Sequence, residues 1–266
     1  MTTLLAADFT WFHLLPGWGN LEAAVAPMFG RTLVENQPVS SILHLALTLL
    51  STGIVVTLVM LTRSSWQQDG AQAYVPREGF SARNVIETIL DTTLSLMTDV
   101  FGNEKDARRF LPLIGTLALF ILFSNLLALV PGLAPPTDVL AVTVPPALVV
   151  FFVTHWMGVK ENGWHYLEHF LGPKIFGLPL LAPLMLIIEG IGHLARPVSL
   201  SLRLFGNMMG DHQVLAIFMG LAAFPLLFPL PIIVLGTIVC LVQTLVFCLL
   251  STIYIALAIE HSEEAH

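Results

Sequence analysis

The sequence predicts an all-α protein that crosses a membrane several times, with about five membrane helices and one further helix lying at an interface. Three observations predict it. Only 11% of the 266 residues are charged while 56% are hydrophobic, with a mean hydropathy of +0.82. A soluble domain of this size carries about 25% charged residues, so the chain has too few charges to cover a water-facing surface. Several apolar runs reach the roughly 20 residues needed to cross about 30 Å of hydrocarbon. Finally, one segment between these runs has apolar residues at helical spacing on one side only.

Residues 1–37 are mixed, with Trp11, Trp18, Pro16 and Pro27, and read as an extramembrane or interfacial arm. The run 39–61, within a first membrane segment at 38–62, has no Asp, Glu, Lys or Arg and is closed by Arg63. A polar loop follows to residue 80. In the stretch 81–103, Val85, Ile86, Ile89, Leu90, Leu94, Met97 and Phe101 fall on one helical face, and Asn84, Glu87, Asp91, Ser95 and Asp99 on the other. That pattern is an amphipathic helix resting on the membrane or on a partner. Its acidic polar face favours protein over anionic lipid.

A membrane pair is expected over 108–159. Its first run is 111–130, its turn is the Pro/Gly-rich 131–138, and its second run is 139–159, where Pro145 and Pro146 predict a kink. A polar connection with Trp164, His165 and Tyr166 then occupies 160–174; such residues favour the membrane interface. Residues 175–230 are nearly continuous apolar sequence and 231–259 form the last apolar run. At 1.5 Å per residue, 175–230 would make a helix of about 80 Å. It either folds into two spans or lies broken and steeply tilted.

Lysine and arginine placement sets the orientation. Arg63, Arg77, Arg83, Lys105, Arg108 and Arg109 lie in the connection after the first span, and Lys160 and Lys174 in the 160–174 connection. The 131–138 turn has none. Both basic connections are expected in the cytoplasm, with the N-terminus outside and the C-terminus inside. The formal charge of -7 is spread thinly and no basic run suggests nucleic acid. No cleavable signal peptide is expected. Cys240 and Cys248, in one apolar run, read as small packing residues rather than a disulfide or metal pair, and no cofactor is expected. No phosphate-binding glycine loop or nucleophile constellation suggests catalysis.

Glu189, Arg196, Arg203 and Asp211 interrupt the 175–230 run, accompanied by His193 and His212. An ionisable group within a membrane segment costs about 2.5 to 3.5 kcal/mol on insertion scales, which makes it a functional candidate. Glu189, Arg196 and Arg203 recur every seven residues, so they share a helical face that drifts about 20° per heptad. Arg203 stays charged even in a poor solvent. It cannot ferry a proton, but it can make a nearby carboxyl ionise and release one. The competing reading is a structural salt bridge to Glu189 or Asp211. Glu189 and His193, one turn apart, form a possible proton relay or simply a satisfied polar pair. Arg196, beside Pro197, reads as snorkelling to an interface. Gly206 and Gly210 form a small-xxx-small pair that lets another helix come close. Gln243 is a lone amide in the last run, suited to an interhelical hydrogen bond or a polar path.

The segment Arg196-Pro197-Val198-Ser199-Leu200-Ser201-Leu202-Arg203-Leu204-Phe205-Gly206-Asn207-Met208 resembles the signature of subunit a of F-type ATP synthases. Ser124-Asn125-Leu126-Leu127 followed by Pro135-Pro136-Thr137-Asp138 is similar to an earlier stretch of that family, and the likeness runs from about Arg108 to Ile259. The resemblance implies a bacterial inner-membrane stator subunit facing a rotating ring of c subunits, with b-type peripheral stalk subunits as further partners and protons as cargo. It implies that 175–260 forms a long, strongly tilted hairpin against the ring, with two aqueous half-channels separated by Arg203. Glu189 then matches the outlet glutamate, and Asn207 and Gln243 match polar residues beside the arginine.

The match has one departure. Nine residues after the arginine, many members have glutamate where this chain has His212, preceded by Asp211. Members with histidine there often carry an acid seven residues before the glutamine, where this chain has Gly236. Asp211 and His212 are therefore expected to serve one half-channel together, with Gly236 leaving room for water. Two other classes compete: a self-sufficient transporter, disfavoured because the Arg203 region has no second copy, and a membrane scaffold with incidental charges.

Overall fold

A computed structural model describes residues 11–29, 42–69, 81–130, 132–163, 182–221 and 229–260. Among the described residues the chain is all-α, as expected. Seven α-helices occur: α1 (Trp18–Val25), α2 (Leu43–Asp69), α3 (Ala82–Phe101), α4 (Glu104–Leu126), α5 (Leu140–Asn162), α6 (Ala182–Leu221) and α7 (Pro229–Glu260). Short 3-10 turns flank α1 and lie at Leu127–Leu129 and Pro136–Asp138. Four helices are long and apolar enough to cross a bilayer, over Leu43–Ser65, Glu104–Leu129, Leu140–Asn162 and Ile233–Ile259.

The open question over 175–230 is resolved in one respect: Ala182–Leu221 is a single helix of 40 residues rather than two spans. Its length is about 60 Å, twice the thickness of the hydrocarbon layer, so it does not fit upright. Pro197 lies inside it without breaking it. Helix α5 likewise runs unbroken through Pro145 and Pro146, both near its N-terminal end, where few carbonyls lose a partner. Helix α2 starts within the expected span but continues past Arg63 to Asp69, into the stretch expected as loop. The connection 164–174 and the basic residues Arg31, Arg77 and Lys174 lie outside the described residues.

The α3–α4 junction follows from local chemistry. Gly102 takes φ +66 at the end of α3 and its N–H donates to the carbonyl of Thr98 at 2.9 Å, a left-handed stop that glycine adopts without cost. Asn103 then caps α4, its Oδ1 accepting from the backbone N–H of Lys105 at 2.8 Å. Glu104 and Asp106 fill the first turn of α4, where negative charge suits the helix dipole.

The chain divides into two compact units. The first comprises the described parts of Met1–Glu87, Leu119–Val142 and Phe205–Gln243. Its interior is laced by polar side chains. Ser51 and Ser124 share a buried hydrogen bond of 2.8 Å. Thr137 Oγ1 donates to Asn125 Oδ1 at 2.8 Å, and Cys240 Sγ donates to the Asn125 carbonyl at 3.4 Å. Thus Asn125 of α4 fastens the Pro136–Asp138 turn, and its neighbour Ser124 ties α4 to α2. A smaller apolar cluster of Trp18, Ala26 and Ile42 seats α1.

The second unit comprises the described parts of Thr88–Ala118, Thr143–Leu204 and Thr244–His266. Its core joins Met97, Ala107, Phe110, Ile114, Ala118, Met157, Cys248 and Ile255. Leu94 and Phe101 pack on this cluster, so the predicted apolar face of α3 is covered by the chain's own residues. Gly115 permits that approach, since a Cβ there would lie 2.8 Å from Leu90 Cδ2. Asp91, Ser95 and Asp99 on the opposite side remain exposed.

Candidate functional site

Helix α6 presents one unoccupied polar face. Arg203, Gly206, Asn207 and Gly210 follow at three- and four-residue steps and are exposed, while Leu200, Leu204 and Met208 on the other side are buried. A Cβ added at Gly206 or Gly210 would meet nothing within 4 Å. These glycines are therefore not spent on packing within the described chain. Among the described residues, no carboxylate lies within ion-pair distance of Arg203. The expected alternative, a salt bridge to Glu189 or Asp211, does not form: Glu189 instead meets His193, and the Asp211 carboxylate lies against Gly236. Asn207 Nδ2 donates to Gln243 Oε1 at 2.6 Å, which places the two predicted amides together between α6 and α7. Gln243 is buried at 3% exposure.

A titratable cluster occupies the first unit. Asp138, at the end of the Pro136–Asp138 turn, takes one imidazole on each carboxylate oxygen. His44 Nδ1 lies 3.3 Å from Oδ1 and His212 Nδ1 lies 3.3 Å from Oδ2. Burial raises the Asp138 pKa, but the His212 and His44 imidazoles held 3.3 Å from its two oxygens outweigh it. Its carboxyl is held below the ordinary value of 3.8. The sequence reading named His212 but missed His44, which sits in a run that looked uncharged because histidine was not counted. Asp138 appeared only as part of a turn.

Asp211 is brought against Gly236 rather than onto the His212 ring's partner. Its Oδ2 would lie 2.7 Å from a Cβ at Gly236, and Leu129 Cδ2 would lie at 3.4 Å. The absent side chain at residue 236 thus makes room for the Asp211 carboxylate. Among the described residues no group of three or more His, Cys, Asp or Glu is arranged to hold a metal ion.

The second unit holds a different set. His193 Nε2 lies 3.3 Å from Glu189 Oε1 one turn earlier, as expected from their spacing. The His193 ring meets His155 of α5 edge-on, with centroids 4.9 Å apart and planes at 72°. Arg196 stacks over the Tyr254 ring at 5.3 Å, a cation–π contact. Thr154, His155, Arg196, Leu200 and Tyr254 line a cavity of about 10 Å³. His155 was not singled out from the sequence, since a lone histidine in an apolar run carries no periodic signal.

The sequence model of the family described as ATP synthase A chain matches residues 45–256. Among similar proteins, "ATP synthase subunit a 1" of Syntrophotalea carbinolica is 52% identical over 69% of this chain and 74% of its own length. "ATP synthase subunit a" of Trichlorobacter lovleyi is 49% identical over 69% of this chain and 75% of its own length. The Geobacter sulfurreducens protein of the same name is 47% identical over 69% and 76%. With its apolar helices, its Arg203 face and these relatives, the chain belongs to the subunit a family, the proton-translocating membrane stators of F-type ATP synthases.

Proposed function

We propose that Arg203 divides two proton paths and faces the rotating c-ring, and that this chain conducts protons without catalysing any step of ATP chemistry itself. The observation that carries this reading is the exposed Arg203 guanidinium, without an acid of its own among the described residues, on a face whose Gly206 and Gly210 leave open space. A helix of another subunit carrying a carboxyl fits there. The segment 175–260 would then be the ring-facing hairpin, with 38–62, 108–159 and the interfacial 81–103 as its support, and the 1–37 arm outside the membrane. The b-type stalk subunits would hold the assembly, and lipid would surround it.

The mechanism follows from electrostatics. A protonated ring carboxyl is neutral and travels through lipid at little cost. Beside a fixed cation the ionised form is favoured, so the carboxyl gives up its proton there. A permanent positive charge also repels a proton hopping directly between the paths. The field supplies about 2.3 kcal/mol per charge per 100 mV. Asn207 and Gln243, hydrogen-bonded to each other, would keep the neighbourhood of Arg203 polar without adding charge.

The cluster of His44, Asp138, His212 and Asp211 would form the half-channel on the outer side, and Glu189 with His193 the one on the cytoplasmic side. This follows the lysine and arginine bias, which puts the 131–138 turn outside, with the N-terminus, and the C-terminus in the cytoplasm. A bacterial inner membrane is the setting that the family relatives suggest. Asp211 would supply the acid that other members carry at the position of Gly236.

The test is proton flux in liposomes. The purified chain alone should move no protons, and the full complex should pump on ATP addition. Pumping or leakage by the chain alone would favour a self-sufficient transporter.

A further inference from the structure

We infer that His155 of α5 is a proton-relay residue that carries protons between His193 and the cytoplasmic end of the membrane domain. The inference rests on the reading of Glu189 and His193 as the cytoplasmic path. It adds to that path a group from a different helix, outside the arginine segment altogether.

Three observations place it. His155 Nδ1 lies 2.9 Å from the carbonyl oxygen of Phe151. A carbonyl only accepts, so Nδ1 carries the hydrogen and Nε2 is the basic nitrogen of the neutral ring. Its ring centroid is 4.9 Å from that of His193, and His193 in turn reaches Glu189 at 3.3 Å. Carboxyl, imidazole and imidazole thus stand in succession. Finally, His155 belongs to two cavities at once. One, about 10 Å³, is shared with Arg196 and Tyr254. The other is an open recess of about 500 Å³ beside Phe152, Trp156 and Val159. Among the described residues no other lines both.

Position along α5 fits this use. His155 is five residues before Lys160, so about 7.5 Å of helix separates it from the polar end of α5 at Lys160, Glu161 and Asn162. Lys160 and Glu161 are at least partly exposed, and Trp156 is 72% exposed.

The step balances simply. Cationic His193 gives its proton to Nε2 of His155 and becomes neutral, while His155 becomes the imidazolium. His155 then gives a proton from Nε2 to water and returns to the tautomer held by Phe151. No redox partner is needed, and the reverse sequence serves ATP-driven pumping. Arg196, the remaining charged group lining the small cavity, stays cationic and is held over Tyr254.

The experiment uses the complete ATP synthase in liposomes, with subunit content checked for every variant and ATP-driven proton pumping as the readout. His155→Ala should slow pumping on the order of a hundredfold, the lower end of the range for a lost proton-transfer group, and added imidazole should restore it. His155→Gln can still donate a hydrogen bond to Phe151 but cannot take up a proton. It should be as slow as the alanine variant. Pumping at the wild-type rate in either variant overturns the proposal. So does slow pumping in an intact His155→Ala complex that imidazole leaves unchanged, since that is the mark of a packing role. If alanine prevents assembly, the glutamine variant decides alone: slow pumping supports the relay and a normal rate refutes it. Arg203→Ala in the same preparation separates the two readings, because pumping that survives it would refute the stator mechanism whatever His155 does.

Discussion

The Asp211 carboxylate occupies the space that a side chain on residue 236 would need, its Oδ2 2.7 Å from where the Cβ of Gly236 would stand. One helix has given up a side chain at the point where the facing helix supplies an acid. This gives a structural reason for the departure noted in the sequence, where an acid common at the position of Gly236 is missing.

The exchange should be reversible. Asp211→Asn alone should lower ATP-driven pumping by roughly a hundredfold or more, as expected for a lost proton-transfer group. Gly236→Asp alone should also impair it, because two carboxylates would crowd one site. The double change Asp211→Gly with Gly236→Asp should recover much of the loss. Pumping assays on the four complexes give the answer, and an unaffected Asp211→Asn complex would remove Asp211 from the path.

Asp138 should tie stability to pH. Its folded-state pKa lies below the ordinary 3.8, so its ionised form stabilises the fold throughout the range above that value. The contribution is lost as pH falls through the lower folded value. Asp138→Asn should cost about 1.5–3 kcal/mol at neutral pH, the range for a polar contact to a charged group. Wild type and variant should begin to converge as pH falls below about 3.8 and meet only below the lower folded-state value. Denaturation in detergent across that range measures both.

The Asn207–Gln243 hydrogen bond should appear as coupling between α6 and α7. Asn207→Ala and Gln243→Ala should be non-additive by about 0.5–1.5 kcal/mol in a double-mutant cycle of stability. Additive losses would mean the two amides act separately.

Gly206 and Gly210 should be sensitive only in the assembled machine. A Cβ meets nothing within 4 Å at either position, so Gly206→Leu or Gly210→Leu should leave the isolated chain as stable as before. In the complex the same changes should reduce pumping sharply, because the added side chain would hold the rotor away. Comparing detergent stability with pumping separates these effects.

Much of the architecture was legible because lipid makes hydrophobicity a direct readout. The acidic-apolar alternation at Ala82–Phe101 gave its helix to within a few residues, while the charge-free run before Arg63 located its helix but not its end, which lies at Asp69. The stripe of Glu189, His193, Arg203 and Asn207 was legible from helical spacing alone. Contacts between helices were not. Nothing in the sequence says that His44 and His212 meet on one carboxylate, because these residues are far apart along the chain. Nor does spacing reveal His155 against His193, or distinguish a glycine that admits water from one that admits the Asp211 carboxylate. The unbroken helix through Pro197 was equally open, since proline in a membrane helix permits both a break and continuity.

The central claim is that a permanent cation at residue 203 is required for coupling. ATP synthesis driven by an imposed proton gradient, measured in liposomes containing the complex with Arg203→Lys, tests it most directly. Lysine can lose its proton when held in a poor solvent, so the variant should assemble yet make essentially no ATP. Synthesis at the wild-type rate would contradict the account.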